Sequence, residues 1–160
     1  MEGLIMDYPL TTTTILEYGN SAFYHKKLIS YLPDGTRHEY TFRDLYKRSK
    51  MLANALTQKL GITKGDMVGT FAWNHYQHVE LYYGIPGIGA ICHTLNIRLS
   101  LPQIEFIINH AEDKVIFVDV TYEPKTTYVD SLANQLKDEF GTVSGIIGIG
   151  GGSTMDLAKA

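Results

Sequence analysis

The 160 residues carry 14 Lys and Arg against 17 Asp and Glu, a net charge of −3, which argues against a nucleic-acid or anionic-membrane surface. With 44% hydrophobic and 19% charged residues the composition is that of a globular chain, and one cysteine, Cys92, excludes an internal disulfide and a cysteine-rich metal site. The start has Glu2 and no basic stretch, and the longest apolar run, Tyr82 to Cys92, is well short of the about 20 residues a membrane span needs, so a soluble, cytoplasmic chain without a transmembrane segment is expected.

In chain order, four threonines, Thr11 to Thr14, precede a short apolar segment, and Thr14 is the expected cap of a helix through Ile15, Leu16 and Tyr18. Leu28 to Leu32 and Thr36 to Tyr40 flank Pro33-Asp34-Gly35, a hairpin signal, because Pro fixes φ and Gly permits the reversal. Thr41 and Asp44 have capping-box spacing at the start of a helix. Leu45, Leu52, Ala53, Leu56 and Leu60 form its apolar face, and Gly61 ends it. Arg43, Lys47, Lys50 and Asn54 lie on another face, which reads as solvated.

After the turn Thr63 to Asp66 comes a strand, Met67 to Ala72, then a helix capped by Asn74 that Pro86 should break near Ile85. Ile91 to Leu95 is a second strand. Ser100 and Gln103 make a capping box for the helix Leu101 to His110, with Leu101, Ile104, Ile107 and Ile108 inward. Lys114 to Val118 is a third, buried strand. The fold class expected is α/β: a three-layer, mostly parallel sheet of βα units preceded by a β-hairpin. Ligands of such sheets sit at the carboxyl ends of the strands, an edge that takes in Trp73, Asn74, Asn96, Arg98 and Asp119.

Beyond Asp119 the texture changes, dividing the chain into residues 1–120 and 121–160. A linker, Glu123 to Thr126, leads to a helix, Thr127 to Phe140, then a strand, Gly145 to Ile149, then Gly150-Gly151-Gly152-Ser153 and the first turns of another helix. Strand, GGGS and helix put bare amides and a helix N-terminus at one point. That arrangement suits either phosphate binding or a flexible turn, since neither the dinucleotide fingerprint nor a P-loop is met. His75 and His78, three apart, would need His93, His110 or Cys92 to complete a metal site, and packing is the simpler role, so no metal site is assigned. Glu112-Asp113 and Asp138-Glu139 read as solvated charge. Gly84 to Gly89 (GIPGIG) reads as close approach of helix and sheet, and no catalytic constellation is complete.

Three stretches carry a family resemblance: YTFRDLYKRSKMLANAL (Tyr40 to Leu56), LGITKGDMVGTFAWNHYQHVELYYGIPGIGA (Leu60 to Ala90) and HTLNIRLSLPQIEFIINHAEDKVIFVD (His93 to Asp119). Residues from about Leu4 to Asp119 resemble the N-terminal part of AMP-forming fatty-acid–CoA ligases of the medium- and long-chain branch. The resemblance implies a parent enzyme that joins a fatty acid to coenzyme A with ATP and Mg. The phosphate loop, adenine and ribose motifs and C-terminal lid of such enzymes lie downstream of the resembling region, so no catalytic residue is carried over and the chain alone is expected to be inactive. It also implies a homo-oligomer, since this region contributes dimer contacts in some long-chain enzymes. The segment YVDSLANQLKDEFGTVSGIIGIGGGSTMDLAKA resembles instead the NAD-binding region of iron-containing-type alcohol dehydrogenases. That resemblance implies NAD at Gly150, Gly151, Gly152 and Ser153 and a hybrid chain. A dehydrogenase fragment and a non-enzymatic α/β interaction domain are the alternatives to a ligase fragment.

Overall fold

The computed structural model describes residues 7–32 and 34–119, and the backbone of 145–149. The expected linker and helix after Asp119, the Asp138-Glu139 pair, the GGGS turn and the final helix lie outside the described residues. Four helices and six strands follow the order α1 (Thr12–Ala22), β1 (Lys27–Tyr31), β2 (Arg37–Thr41), α2 (Phe42–Gln58), β3 (Met67–Phe71), α3 (Tyr76–Gly87), β4 (Ile91–Thr94), α4 (Leu101–Ala111), β5 (Val115–Asp119) and β6 (Gly145–Ile149) among those residues. The α/β class expected from the alternation is what the chain adopts.

The cap of α1 is Thr11, not Thr14: the Thr14 amide donates to Thr11 Oγ1 at 3.3 Å, while the Thr14 hydroxyl turns back to the Pro9 carbonyl. Four consecutive threonines offer equivalent caps, and only the one with extended backbone (φ −108°) serves. At α2 the expected box closes in full. Asp44 accepts from the Thr41 amide at 3.0 Å, and Thr41 Oγ1 accepts from the Asp44 amide at 3.2 Å. The far end is closed by Gly61 at φ 65°, which lets the Ile62 amide reach back to the Leu56 carbonyl. Leu60 lies past the helix and is exposed. The antiparallel hairpin β1–β2 docks on these helices through Leu16, Tyr40 and Leu45, with Leu28, Tyr76 and Val79 packed around them.

The main sheet is parallel throughout, in the order β4-β3-β5-β6. Its alternation sorts two cores. Val68, Val115 and Phe117 pack with Leu56, Leu81 and Ile85 of α2 and α3. Ile116 and Val118, with Phe71 beside them, pack with Ile104 and Ile108 of α4. β5 is buried along its whole length, as its unbroken apolar run predicts.

Two expectations about α3 are overturned. The cap is His75 rather than Asn74, because the ring Nδ1 accepts from the Gln77 amide at 3.2 Å. Pro86 does not break the helix, which runs on to Gly87. A proline in the last turn removes one donor and has a helical φ, and the chain then closes through Gly89, at φ 77°, onto the Pro86 carbonyl. The GIPGIG segment does bring elements close, but helix to helix. A Cβ on Gly84 would stand 2.7 Å from Leu52 Cδ2 and 3.2 Å from the Ser49 carbonyl oxygen of α2.

Candidate functional site

The strand order reverses beside β3: the chain moves from β3 to β4 on one side, and from β5 to β6 on the other. In open α/β sheets the crevice at the carboxyl ends of such neighbours is the usual ligand position. Here the β3 and β5 ends are bridged by the chain itself. His75 Nε2 donates to Asp119 Oδ2 at 2.5 Å, with both side chains 1% exposed. The direction follows from the other nitrogen: Nδ1 accepts the Gln77 amide, so the proton is on Nε2. Asp119 Oδ2 also accepts from the Trp73 amide at 3.3 Å.

His78 completes the network from below. Its Nδ1 donates to the Trp73 carbonyl at 3.2 Å and its Nε2 accepts from Thr70 Oγ1 at 3.1 Å, while the ring stacks on Tyr82. Burial holds the His78 imidazole below its ordinary range, and the Trp73 carbonyl pulls partly back. Of the edge residues expected from the sequence, Trp73, Asn74, Asn96 and Arg98 are exposed, Asn96 Oδ1 accepting the Arg98 amide at 3.0 Å. Asp119 is at the edge too, but sealed beneath the surface.

A second histidine–aspartate pair lies under α4. Asp113 is 0% exposed and accepts from His93 Nδ1 at 2.8 Å. Burial pushes its carboxyl up, and His93 opposes the shift. This corrects the reading of Glu112-Asp113 as solvated charge: Glu112, at φ 55°, ends α4 in left-handed geometry and turns Asp113 inward. Gly69 of β3 makes the room, since a Cβ there would stand 3.2 Å from Asp113 Oδ2. Nothing in the local sequence marks Asp113 as special, because its partner is 20 positions away.

The third polar contact is Arg48 Nε to Glu80 Oε1 at 2.6 Å, between α2 and α3. Burial raises the Glu80 carboxyl and Arg48 lowers it again. The pair borders a groove of about 360 Å³ walled by Met51, Leu52, Ala55 and Phe117. The imidazoles of His75, His78 and His93 are thus turned to separate partners. Among the described residues no three His, Cys, Asp or Glu side chains are grouped to hold a metal, and no helix is long and apolar enough to cross a membrane. What these pairs do chemically is cross-link elements: the cap of α3 to β5, β4 to the loop before β5, and α2 to α3.

A parallel sheet covered by α2 and α3 on one face and α4 on the other, and bridged at its switch point, is an α/β architecture. The chain belongs to the AMP-binding enzyme family, whose model matches residues 19–153. It is 38% identical over 133 residues to the long-chain-fatty-acid–CoA ligase of Thermus thermophilus, covering 83% of this chain and 24% of that protein. It is also 38% identical over 126 residues to the medium-chain-fatty-acid–CoA ligase of Ectopseudomonas oleovorans, covering 78% and 22%. Among solved structures, an anthranilate CoA ligase in complex with anthranoyl-AMP superposes with a TM-score of 0.73 at 26% identity, covering 89% of this chain and 26% of that one. A fatty acyl CoA synthetase of Mycobacterium tuberculosis gives 0.70 at 25% identity, covering 91% and 27%. The chain therefore spans about a quarter of the length of the relatives it matches. The family match runs on through residues 121–153, the stretch expected from the sequence to be dehydrogenase-like, and the comparisons lend no support to that expectation, to NAD binding or to a hybrid chain.

Proposed function

We propose that this chain is the N-terminal unit of a fatty-acid–CoA ligase, in which ATP activates the carboxylate and the acyl group passes to coenzyme A. The observation that carries the reading is the continuous match of residues 19–153 to the AMP-binding family, joined to 38% identity with ligases named for long- and medium-chain fatty acids. The unit's part is a scaffold: a bridged sheet edge and a rigid α2–α3 layer on which the rest of the enzyme assembles. Transition-state charge on transferring phosphates needs donors aimed at it, and in the resemblance the phosphate loop and lid that supply them lie downstream of Leu4 to Asp119. On this reading the chain alone is inactive.

The test has two arms. The purified chain is assayed for pyrophosphate release with Mg-ATP, coenzyme A and a series of fatty acids, and turnover there overturns the scaffold role. The chain is then fused to the downstream three-quarters of a fatty-acid–CoA ligase in place of that enzyme's own N-terminal unit. Restored acyl-CoA formation supports the assignment, and a folded but inactive fusion counts against it. The dehydrogenase reading of residues 121–160 would return only if calorimetric titration of the chain with millimolar NAD gave a saturable heat.

A further inference from the structure

Trp73 is the single tryptophan of the chain and is 39% exposed at the carboxyl edge of the sheet. Both of its backbone polar groups are held by buried side chains. Its amide donates to Asp119, which His75 also holds, and its carbonyl accepts from His78 Nδ1 at 3.2 Å and from the His75 amide at 3.0 Å. The turn between β3 and α3 is therefore gripped from the β5 side and from the first turns of α3 together. We propose that this turn is a proton-sensitive clamp: uncharged His78 keeps Trp73 seated, and a proton on His78 loosens the turn and moves the indole.

The groups facing His78 decide what a proton does there. Thr70 is on β3, the Trp73 carbonyl and His75 are on the turn, Tyr82 is on its own helix, Cys92 is on β4 and Asp119 is on β5. Thr70 can tolerate the change of donor. Its oxygen accepts from a protonated Nε2 while its own proton turns to the His93 carbonyl, 3.5 Å away. The charge itself is the difficulty. Cys92 and Tyr82 are held uncharged, their ionisation pushed up by burial, so neither neutralises it. Asp119 is the one carboxylate among these groups and its charge favours a proton on His78, but burial outweighs it and the neighbouring His75 opposes it. Arg48 engages Glu80, the next acid along α3. A buried cation whose desolvation outweighs the pull of the nearby carboxylate is relieved by water, and here water reaches His78 when the first turn of α3 lifts from β3. That motion carries the Trp73 carbonyl with it.

The readout is the emission of Trp73 in the intact chain, followed downward from the ordinary imidazole value of 6.5. The expected result is a shift in emission that precedes any loss of far-UV circular dichroism and disappears in His78→Asn, where the side-chain amide stands where Nδ1 does and can donate to the Trp73 carbonyl but does not titrate. Emission that stays flat until the chain unfolds, or a shift that survives in His78→Asn, overturns the clamp. Should that variant not fold, the ring protons of His78 in the unaltered chain are followed by NMR. A midpoint shared with the emission change supports the clamp, and a different midpoint refutes it.

Discussion

Replacing Gly84 by alanine sets two known effects against each other. Inside a helix, alanine is favoured over glycine by about 1 kcal/mol, so α3 by itself would gain. The new methyl, however, would stand 2.7 Å from Leu52 Cδ2, 3.0 Å from Leu52 Cγ and 3.2 Å from the Ser49 carbonyl oxygen. Leu52 is only partly buried and can rotate aside, but the Ser49 carbonyl belongs to the α2 backbone, so the helices must separate. Overpacking of this kind costs about 1–3 kcal/mol, leaving a net loss of about 1 kcal/mol. Gly87 in the last turn is the internal control. A methyl there meets only Thr13 Oγ1, at 4.0 Å, so Gly87→Ala gains a few tenths of a kcal/mol. Urea unfolding followed by circular dichroism separates the two, with equal slopes and midpoints moved in opposite directions. The reasoning is refuted if Gly84→Ala is as stable as Gly87→Ala. It is also refuted if adding Leu52→Ala to Gly84→Ala costs the full sum of the single changes, since the clash would then not be the cause.

Asp119→Ala leaves the His75 ring and the Trp73 amide buried without their acceptor and should cost about 3 kcal/mol in the same urea assay; a loss under about 1 kcal/mol would mean that the bridge is not structural. Thr41→Ala removes one arm of the α2 capping box and should cost about 1 kcal/mol, whereas Thr14→Ala, which caps nothing, should cost less. Asp66 accepts from Lys114 and from the Thr63 amide, which hold its carboxyl down at about 2 against an ordinary 3.8. A folded value below the unfolded one gives stability that is present above 3.8 and lost as pH falls through about 2, so Asp66→Asn should flatten the acid limb of a stability–pH curve in that window. An unchanged acid limb would remove Asp66 from the account.

The elements were legible because each carries its own period. Leu45 and Leu56 mark the buried face of α2, and the unbroken run Val115 to Val118 marks a strand covered on both faces. The capping box at Thr41 was legible because its partners are three residues apart and answer to each other alone. The missed features depend on contacts across the fold. Choosing Thr11 over Thr14 requires knowing where the backbone leaves the extended region, and Pro86 was misjudged because its cost depends on how many turns follow it. Asp113 looked like one of two adjacent surface acids until Gly69 and His93, each from a different strand, were placed against it. The carboxyl edge was located correctly, but the sequence did not reveal that His75 reaches across to Asp119, because no periodicity relates positions 44 apart.

Cys92 packs half-buried against the α2–α3 core, and burial pushes its thiol up to about 11. Since the thiolate is the reactive form, this sulfur should be almost inert to alkylating reagents while the fold is closed. As the chain's one thiol, it offers a built-in clock. The rate at which a maleimide marks it would count how often α3 lifts away from β4, without any residue having to be changed.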